Sequence, residues 1–228
     1  MCLKNQIHST AIIGPEVSLG FGNTIGPYTV ILGRVIIGDN NWIGPHVAIG
    51  SPPEHREIRN SPDFKLTGKI DIGSGNFIHE FTSIQLPIEL CTSIGNNNFI
   101  MNKAHIGHDC KIEDNVTISS GALIGGHVVI KDSANIGLGA IIRQRLNIST
   151  FCMVGMGSVI TKNHPPYSTL VGVPAKVANV NVIGLGRAGI HMSDSQLSIL
   201  SNIITDKDLS SIRSLPPVMV QPLIEFFL

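Results

Sequence analysis

The chain has 228 residues, a formal net charge of zero, and only 14% charged residues against 43% hydrophobic ones. This balance argues against nucleic acid or an acidic membrane surface as the partner. No apolar run approaches the roughly 20 residues that span a bilayer, and Met1 to Asn5 resemble no signal peptide. We therefore expect a cytoplasmic protein.

An aliphatic residue recurs at every sixth position through most of the chain. This period is the mark of a parallel β-helix, in which the recurring residues stack inside. Three hexapeptides form one coil in this repeat class, so residues 18 apart lie above one another at the strand spacing of about 4.8 Å. The residues that recur every six positions are Ile7, Ile13, Leu19, Ile25, Ile31, Ile37, Ile43 and Ile49; Ile72, Ile78 and Ile84; and Ile94, Ile100, Ile106, Ile112, Ile118, Ile124, Ile130, Ile136, Ile142, Ile148, Val154 and Ile160.

The cysteines fit the same pattern. No CxxC pair is present, and Cys110 and Cys152 stand two positions before an inward aliphatic residue, where the repeat favours small side chains. These features predict packed thiols in a reducing compartment.

The period is interrupted twice, and both interruptions are predicted to be loops that leave the stacked core intact. Residues 51–70 contain three prolines and a charge cluster. Residues 87–93 form a shorter excursion. The sequence therefore predicts an all-β solenoid over 1–180 with two loop excursions.

Residues 181–228 differ in kind and predict a short helical C-terminal region. Ser193 and Gln196 have the spacing of a capping box. A second short helix is predicted over 207–214, and a last apolar segment follows Pro216-Pro217. This region is too short to fold alone, so we expect it to pack on the final coil and cover its edge strands.

Stacking of the unbroken coils brings polar residues together in neighbouring columns, close to His105 and Arg143. One column contains His108, Gly126, Gln144 and Lys162, and the next contains Asp109, His127 and Arg145.

Each residue type suits a step of acyl transfer. A neutral imidazole such as His108 can remove a proton from an attacking group, and the carboxylate of Asp109 can orient it. The N–H of Gly126 can face an oxyanion, and Arg143 or Arg145 can hold a phosphate. The alternative interpretation is a set of solvated corner residues.

Ala104-His105-Ile106-Gly107-His108-Asp109-Cys110, followed by Gly126-His127-Val128, resembles the signature of the UDP-N-acetylglucosamine acyltransferase family of lipid A biosynthesis. The match extends from Ile7 through Arg187. The resemblance implies a left-handed β-helix, a homotrimer with active sites between subunits, and transfer from an acyl carrier protein thioester to the sugar 3-position.

The resemblance also implies residue roles. His108 is the expected general base, His105 a sugar contact, and the N–H of Gly126 the oxyanion contact. Positions that match contacts to the substrate or to the donor's pantetheine arm are His127, Gln144, Asn181 and Arg187, and Asp63 matches a sugar contact.

Departures from the family pattern affect the pocket. Gln85 and Arg143 stand where the family usually has histidine, and Ile183 and Ala188 replace polar residues. They leave the sugar open, with an amine as a possible attacking group. Met156 falls at the position that limits acyl length, which predicts a short or medium chain.

Three alternatives stay open. Val171 to Lys176 resembles the G-x-P-A-K turn of acetyl-CoA enzymes, which favours an acetyltransferase of surface polysaccharide synthesis. A γ-carbonic-anhydrase-like enzyme would bind zinc through His79, His105, His108 or His127. A non-catalytic trimeric scaffold is the third. The preferred hypothesis has neither bound cofactor nor metal.

Overall fold

The structure, a computed structural model, describes residues 4–56 and 68–228. In this part of the chain three sheets of ten, eight and seven strands form the three faces of a β-helix. Up to Ile160, successive strands of the chain belong to the first, second and third sheet in turn. Apart from a terminal hairpin, every pairing is parallel, for example β4 with β7 and β17 with β20. The predicted parallel β-helix is confirmed.

The strands are short because each covers only one face of a coil. The first sheet contains β1 (Gln6–Ile7), β4 (Thr24–Ile25), β7 (Trp42–Ile43), β10 (Phe77–Ile78), β13 (Phe99–Ile100), β16 (Thr117–Ile118), β19 (Asn135–Ile136), β22 (Met153–Val154), β24 (Ser168–Gly172) and β25 (Ala175–Val180). The second sheet contains β2 (Ile12–Ile13), β5 (Val30–Ile31), β8 (Ala48–Ser51), β11 (Ser83–Gln85), β14 (His105–Ile106), β17 (Leu123–Ile124), β20 (Ile141–Ile142) and β23 (Val159–Ile160). The third sheet contains β3 (Val17–Leu19), β6 (Val35–Ile37), β9 (Lys69–Ile72), β12 (Cys91–Ile94), β15 (Lys111–Ile112), β18 (Val129–Ile130) and β21 (Asn147–Ile148).

The core is the predicted aliphatic stack. Ile25, Ile100 and Ile124 are almost fully buried, whereas Ile7 is exposed because it belongs to the outermost described coil. Cys110 and Cys152 are fully buried, and burial raises the pKa of both thiols to about 12. Their packed, protonated state agrees with the prediction.

The register follows the predicted spacing where the repeat is unbroken. Ile106 pairs with Ile124 and Ile124 with Ile142, each 18 residues apart. Across the second excursion the spacing becomes 22, since Ser83 pairs with His105. That excursion ends before β12 begins at Cys91, so it is shorter than the predicted 87–93.

The last parallel pairing along the first sheet joins β22 to β24, and β24 then forms an antiparallel hairpin with β25. The segment that resembles the G-x-P-A-K turn connects these two strands. The range 1–180 predicted for the β-helix therefore includes this hairpin, whose strand β25 is the last strand of the first sheet.

The C-terminal region contains helices α1 (Val182–Arg187), α2 (Asp194–Asp206) and α3 (Pro217–Phe227). The capping box of Ser193 and Gln196 is present at the start of α2. The predicted helix over 207–214 is wrong: Lys207 ends α2 in the left-handed conformation, and only a 3₁₀ turn, Ile212–Ser214, follows. Among the described residues no helix is long and apolar enough to cross a membrane.

A second, smaller core joins this region to the last coil. Tyr167 of the coil region packs with Leu185, Leu200 and Met219, all of them buried. The expected packing of the tail on the final coil is thus observed.

Candidate active site

The predicted columns lie along one edge of the helix, where the chain passes from the second sheet to the third; we call it the second–third edge. His108 and Asp109 form the turn after β14, and Gly126 and His127 form the turn after β17. The N–H of His127 donates to the carbonyl of His108 at 2.9 Å, and the N–H of Arg145 donates to the carbonyl of Gly126 at 2.9 Å. Backbone bonds between coils therefore fix the stack.

His108 is oriented by the residue that follows it. Its Nδ1 lies 2.9 Å from Oδ2 of Asp109. An ionised carboxylate can only accept, so Nδ1 carries the hydrogen and Nε2 keeps its lone pair. His108 is thereby held in the tautomer that a general base needs.

Asp109 is held by backbone as well as by His108. The N–H of Ile88 donates to Oδ2 at 2.8 Å, and the N–H groups of Glu89 and Leu90 donate to Oδ1 at 3.0 and 3.2 Å. Burial raises the pKa of Asp109, but the hydrogen bonds from His108 and from these three N–H groups outweigh it and lower the pKa. The carboxylate therefore stays ionised beside the imidazole.

Gly126 faces the imidazole of His108 from the next coil. A Cβ at position 126 would lie 2.6 Å from Nε2 of His108, so only glycine leaves room for the ring. Within residues 4–56 and 68–228 the N–H of Gly126 donates to no protein acceptor. This N–H is free for a developing oxyanion near the base.

His105 lies on the outer face of the second sheet and lines a cavity of about 460 Å³. Ser83 Oγ lies 2.8 Å from its Nδ1. Glu54 lines the same cavity, whose floor includes the apolar side chains of Leu123 and Ile141. Burial lowers the pKa of His105, with Glu54 opposing the shift. A neutral imidazole beside an apolar floor suits hydrogen bonding to an uncharged sugar or acyl group.

The sequence analysis missed Ser83 as a partner of His105. The two residues are Cα partners in neighbouring strands but 22 residues apart, so an 18-residue column does not include both. The detectable signal was the length of the excursion between Ile84 and Ile94.

His127 lies between charges of both signs. Arg145 Nη2 is 3.3 Å from its Nε2, and Oε1 of Glu89 is 3.9 Å from the same nitrogen. Glu89 also lies 4.0 Å from Arg145. Its carboxylate offsets the guanidinium charge, which weakens the expectation that Arg145 holds a phosphate.

Asn181 and Arg187 lie elsewhere, in a cavity of about 750 Å³ over the first sheet, and His108 is not among its lining residues. The Asn181 side chain accepts from the Gly184 N–H at 3.0 Å and donates to the Phe151 carbonyl at 2.8 Å. It thus caps α1, a structural role that the sequence analysis did not predict.

Met156 lies on yet another edge, where the first sheet passes to the second, and the residue is 76% exposed. Arg143 and Gln144 are exposed in the turn that follows β20 on the second–third edge. Gln85 is buried, with 4% of its surface exposed, and Asp63 lies outside the described residues. The substrate roles of these residues stay predictions.

A metal is the competing use of these side chains. His108, Asp109 and His127 place ligand atoms within 4.8 Å of one another. However, the two oxygens of Asp109 already accept four hydrogen bonds. His79 lies apart, its ring centroid 4.9 Å from Trp42 and 5.1 Å from Phe99. The contacts favour a base oriented by a carboxylate over a metal site.

Stacked hexapeptide coils and a histidine–aspartate pair that faces a glycine indicate that the protein is a hexapeptide-repeat acyltransferase. The family model described as bacterial transferase hexapeptide (six repeats) matches residues 16–51 and 91–126. Curated relatives that are 42% and 38% identical show that the chain belongs to the UDP-N-acetylglucosamine O-acyltransferase family, which confirms the resemblance in its sequence.

Two curated relatives show the family. The acyl-[acyl-carrier-protein]–UDP-N-acetylglucosamine O-acyltransferase of Syntrophobacter fumaroxidans is 42% identical over 185 residues, which cover 79% of this chain and 70% of the relative. The enzyme of the same name from Thermodesulfovibrio yellowstonii is 38% identical over 217 residues, covering 86% and 81%.

A solved structure of a protein with the same fold supports this assignment. LpxA from Acinetobacter baumannii superposes with a TM-score of 0.77 at 26% identity, covering 96% of this chain and 93% of that one.

Proposed function

We propose that the protein transfers an acyl group from an acyl carrier protein thioester to the 3-position of a UDP-N-acetylglucosamine-type sugar, as a step of lipid A biosynthesis. Membership of the family supports the reaction class. The observation that carries it in this chain is the free Nε2 of His108, held by Asp109 and facing Gly126.

In the proposed reaction His108 Nε2 takes the proton of the sugar hydroxyl as the oxygen attacks the thioester carbon. The carbonyl oxygen becomes an oxyanion, which the N–H of Gly126 stabilises. Collapse breaks the carbon–sulfur bond, and the pantetheine thiolate takes the proton back from the imidazolium. Asp109 stabilises the imidazolium while it exists.

We assign the sugar to the cavity at His105. The imidazole of His105, positioned by Ser83, offers a hydrogen bond, and Glu54 lines the same cavity. We propose that His127, Arg143 and Gln144, on the second–third edge, also contact the substrate. Gln85 and Asp63 keep their predicted substrate roles.

The predicted site residues fall into two groups on different edges of the β-helix, and this separation supports a homotrimer. His108 lies on the second–third edge, whereas Asn181, Arg187 and Met156 lie over the first sheet or on the first–second edge. One chain does not bring the two sets together, so we propose that each site combines the base of one subunit with Arg187 and Met156 of its neighbour.

The donor and its length form part of the same proposal. The relatives' names specify acyl carrier protein, and neither a resident cofactor nor a metal is needed for the steps above. Met156, exposed on its edge, would fill the end of the acyl groove and limit the chain to short or medium length. The cytoplasmic location belongs to this proposal as well.

The test is a mass-spectrometric transfer assay. UDP-N-acetylglucosamine and its 3-amino analogue are each offered with acetyl-CoA or with 3-hydroxyacyl carrier proteins of graded length. Product from a carrier-protein donor, lost in His108→Ala, supports the proposal, whereas product from acetyl-CoA alone would replace it with sugar acetylation. No product from any pair would refute it and favour the scaffold.

A further inference from the structure

The second excursion of the chain contacts the catalytic carboxylate directly. Four residues, 87–90, lengthen this coil so that Ser83 and His105 pair at a spacing of 22 instead of 18. The inserted backbone folds over Asp109, and the Asp109 side chain is left 6% exposed. Three successive N–H groups, those of residues 88–90, point at its two oxygens. Such a concave run of N–H groups is a backbone site for an anion.

Thr92, the second residue of β12, forms hydrogen bonds to the backbone on both sides of this excursion. Its hydroxyl accepts the N–H of Asp109 at 2.9 Å and donates to the carbonyl of Gln85 at 3.0 Å. The side chain is fully buried, so no water can replace either bond. Thr92 therefore connects the backbone of Gln85, before the excursion, to the backbone of Asp109.

The backbone of Asp109 has the left-handed turn conformation that recurs at this position of the coils, as in His127 and Arg145. Its φ is 57°, in the left-handed region that a residue with a Cβ enters at a cost. The side chain and the N–H of Asp109 are both held by the segment between Gln85 and Thr92. A small rotation of this backbone would move the carboxylate relative to Nδ1 of His108.

We propose that Thr92 is a positioning residue for the transfer reaction, acting with the N–H groups of residues 88–90 as a clamp on Asp109. The inference rests on the proposed function, because it concerns how His108 is held for base catalysis. Among the described residues the Thr92 hydroxyl bonds to the backbone of Gln85 and Asp109 and not to His108, and Thr92 does not line the cavities at His105 or Arg187. Its contact with the histidine–aspartate pair is through the backbone of Asp109, whereas its other bond is to the backbone of Gln85 and not to the Gln85 side chain.

This role predicts a specific kinetic pattern. Thr92→Val keeps the volume and removes the hydroxyl, which leaves the Asp109 N–H and the Gln85 carbonyl without their partner. The carboxylate then holds the imidazole less firmly, and a misplaced base loses rate. We expect kcat to fall about tenfold or more while KM changes by less than about twofold. Thr92→Ser keeps the hydroxyl and should recover most of kcat.

Thr29 provides a matched control. Its hydroxyl also donates to a carbonyl, that of Gly44 at 2.6 Å, and accepts an N–H, that of Val47 at 3.2 Å. It is equally buried but lies on the first–second edge, away from Asp109. Thr29→Val should lower the thermal midpoint by a similar amount and leave kcat unchanged.

The experiment measures kcat, KM and the thermal midpoint for the wild type and the three variants with one carrier-protein donor. A kcat loss confined to Thr92→Val and recovered in Thr92→Ser supports the clamp. An unchanged kcat in Thr92→Val, or an equal loss in Thr29→Val, would overturn it. If Thr92→Val does not fold, Thr92→Ala, which adds no atoms, replaces it in the same comparison. An inactive wild type would instead refute the proposed function itself.

Discussion

The unbroken coils from Ile94 to Ile160 and the interrupted stretch from Gln85 to Thr92 serve the same site in different ways. The coils place His108 opposite Gly126 because their register is a constant 18 residues. The interruption supplies the hydrogen bonds that orient Asp109 and, through it, the base. In the proposed function, regular stacking thus determines where the chemistry occurs, and the irregular segment determines how the proposed base, His108, is held.

The largest expected effect concerns the residue on which both regions converge. His108→Ala removes the base but lies outside the aliphatic stack. We expect kcat to fall by about 100- to 10,000-fold with little change in the thermal midpoint. Steady-state kinetics and thermal unfolding measure the two. A variant that retains near wild-type turnover would exclude His108 as the base.

Gly126→Ala tests the contribution of the regular coils alone. The added methyl would lie 2.6 Å from Nε2 of His108, so the imidazole must move away from the oxyanion position. We expect kcat to fall about 100-fold, as measured in the same assay. Gly14→Ala is the control, because its nearest neighbours would lie at 3.3 and 3.4 Å. Equal kinetics for both variants would argue against a close fit at Gly126.

Met156→Gly tests the opposite edge of the coils. Removing an exposed side chain should leave the base intact and open the groove to longer chains. We expect the ratio of kcat/KM for a long over a short 3-hydroxyacyl donor to rise about tenfold, since a few buried methylenes account for that discrimination. Competition between two donors in one reaction gives the ratio directly. An unchanged ratio would remove Met156 from the acyl groove.

The smallest effect concerns the end of the regular stack, where His164 pairs with Ile148. Burial lowers the pKa of His164, with Lys162 adding to the shift. The unfolded chain, with a pKa near 6.5, therefore binds the proton first as the pH falls. The free energy of unfolding should decrease below about pH 6.5 until the lower folded-state pKa is passed.

Denaturant titrations at pH 7.5 and 5.0 measure this loss. His164→Leu, which continues the aliphatic column, should reduce the difference between the two pH values. An identical pH dependence in wild type and variant would show that His164 is not its source.

The sequence predicted the part of the site that follows from periodicity. The stacking of His108 on Gly126 and His127 was predicted correctly because the repeat between Ile94 and Ile160 has no insertion. Thr92, Glu89 and Ser83 were missed because the length of an excursion does not specify how its backbone folds back.

The C-terminal region shows the same limit. A capping box is a local signal, and the helix it begins was predicted correctly at Ser193. The capping role of Asn181 depends on the Phe151 carbonyl, 30 residues away, and so required the tertiary structure. The helix expected over 207–214 failed because Lys207 leaves the helical conformation.

The most direct test of the central claim is a subunit-mixing experiment. Trimers of His108→Ala chains alone or of Arg187→Ala chains alone are inactive in the proposed scheme, because every site lacks either the base or the arginine. Co-expression in equal amounts should restore activity to about one quarter of the wild-type level, the share of intact sites in randomly assembled trimers. Activity that stays at the level of the two parents, in mixed trimers verified by mass spectrometry, would contradict a site shared between subunits.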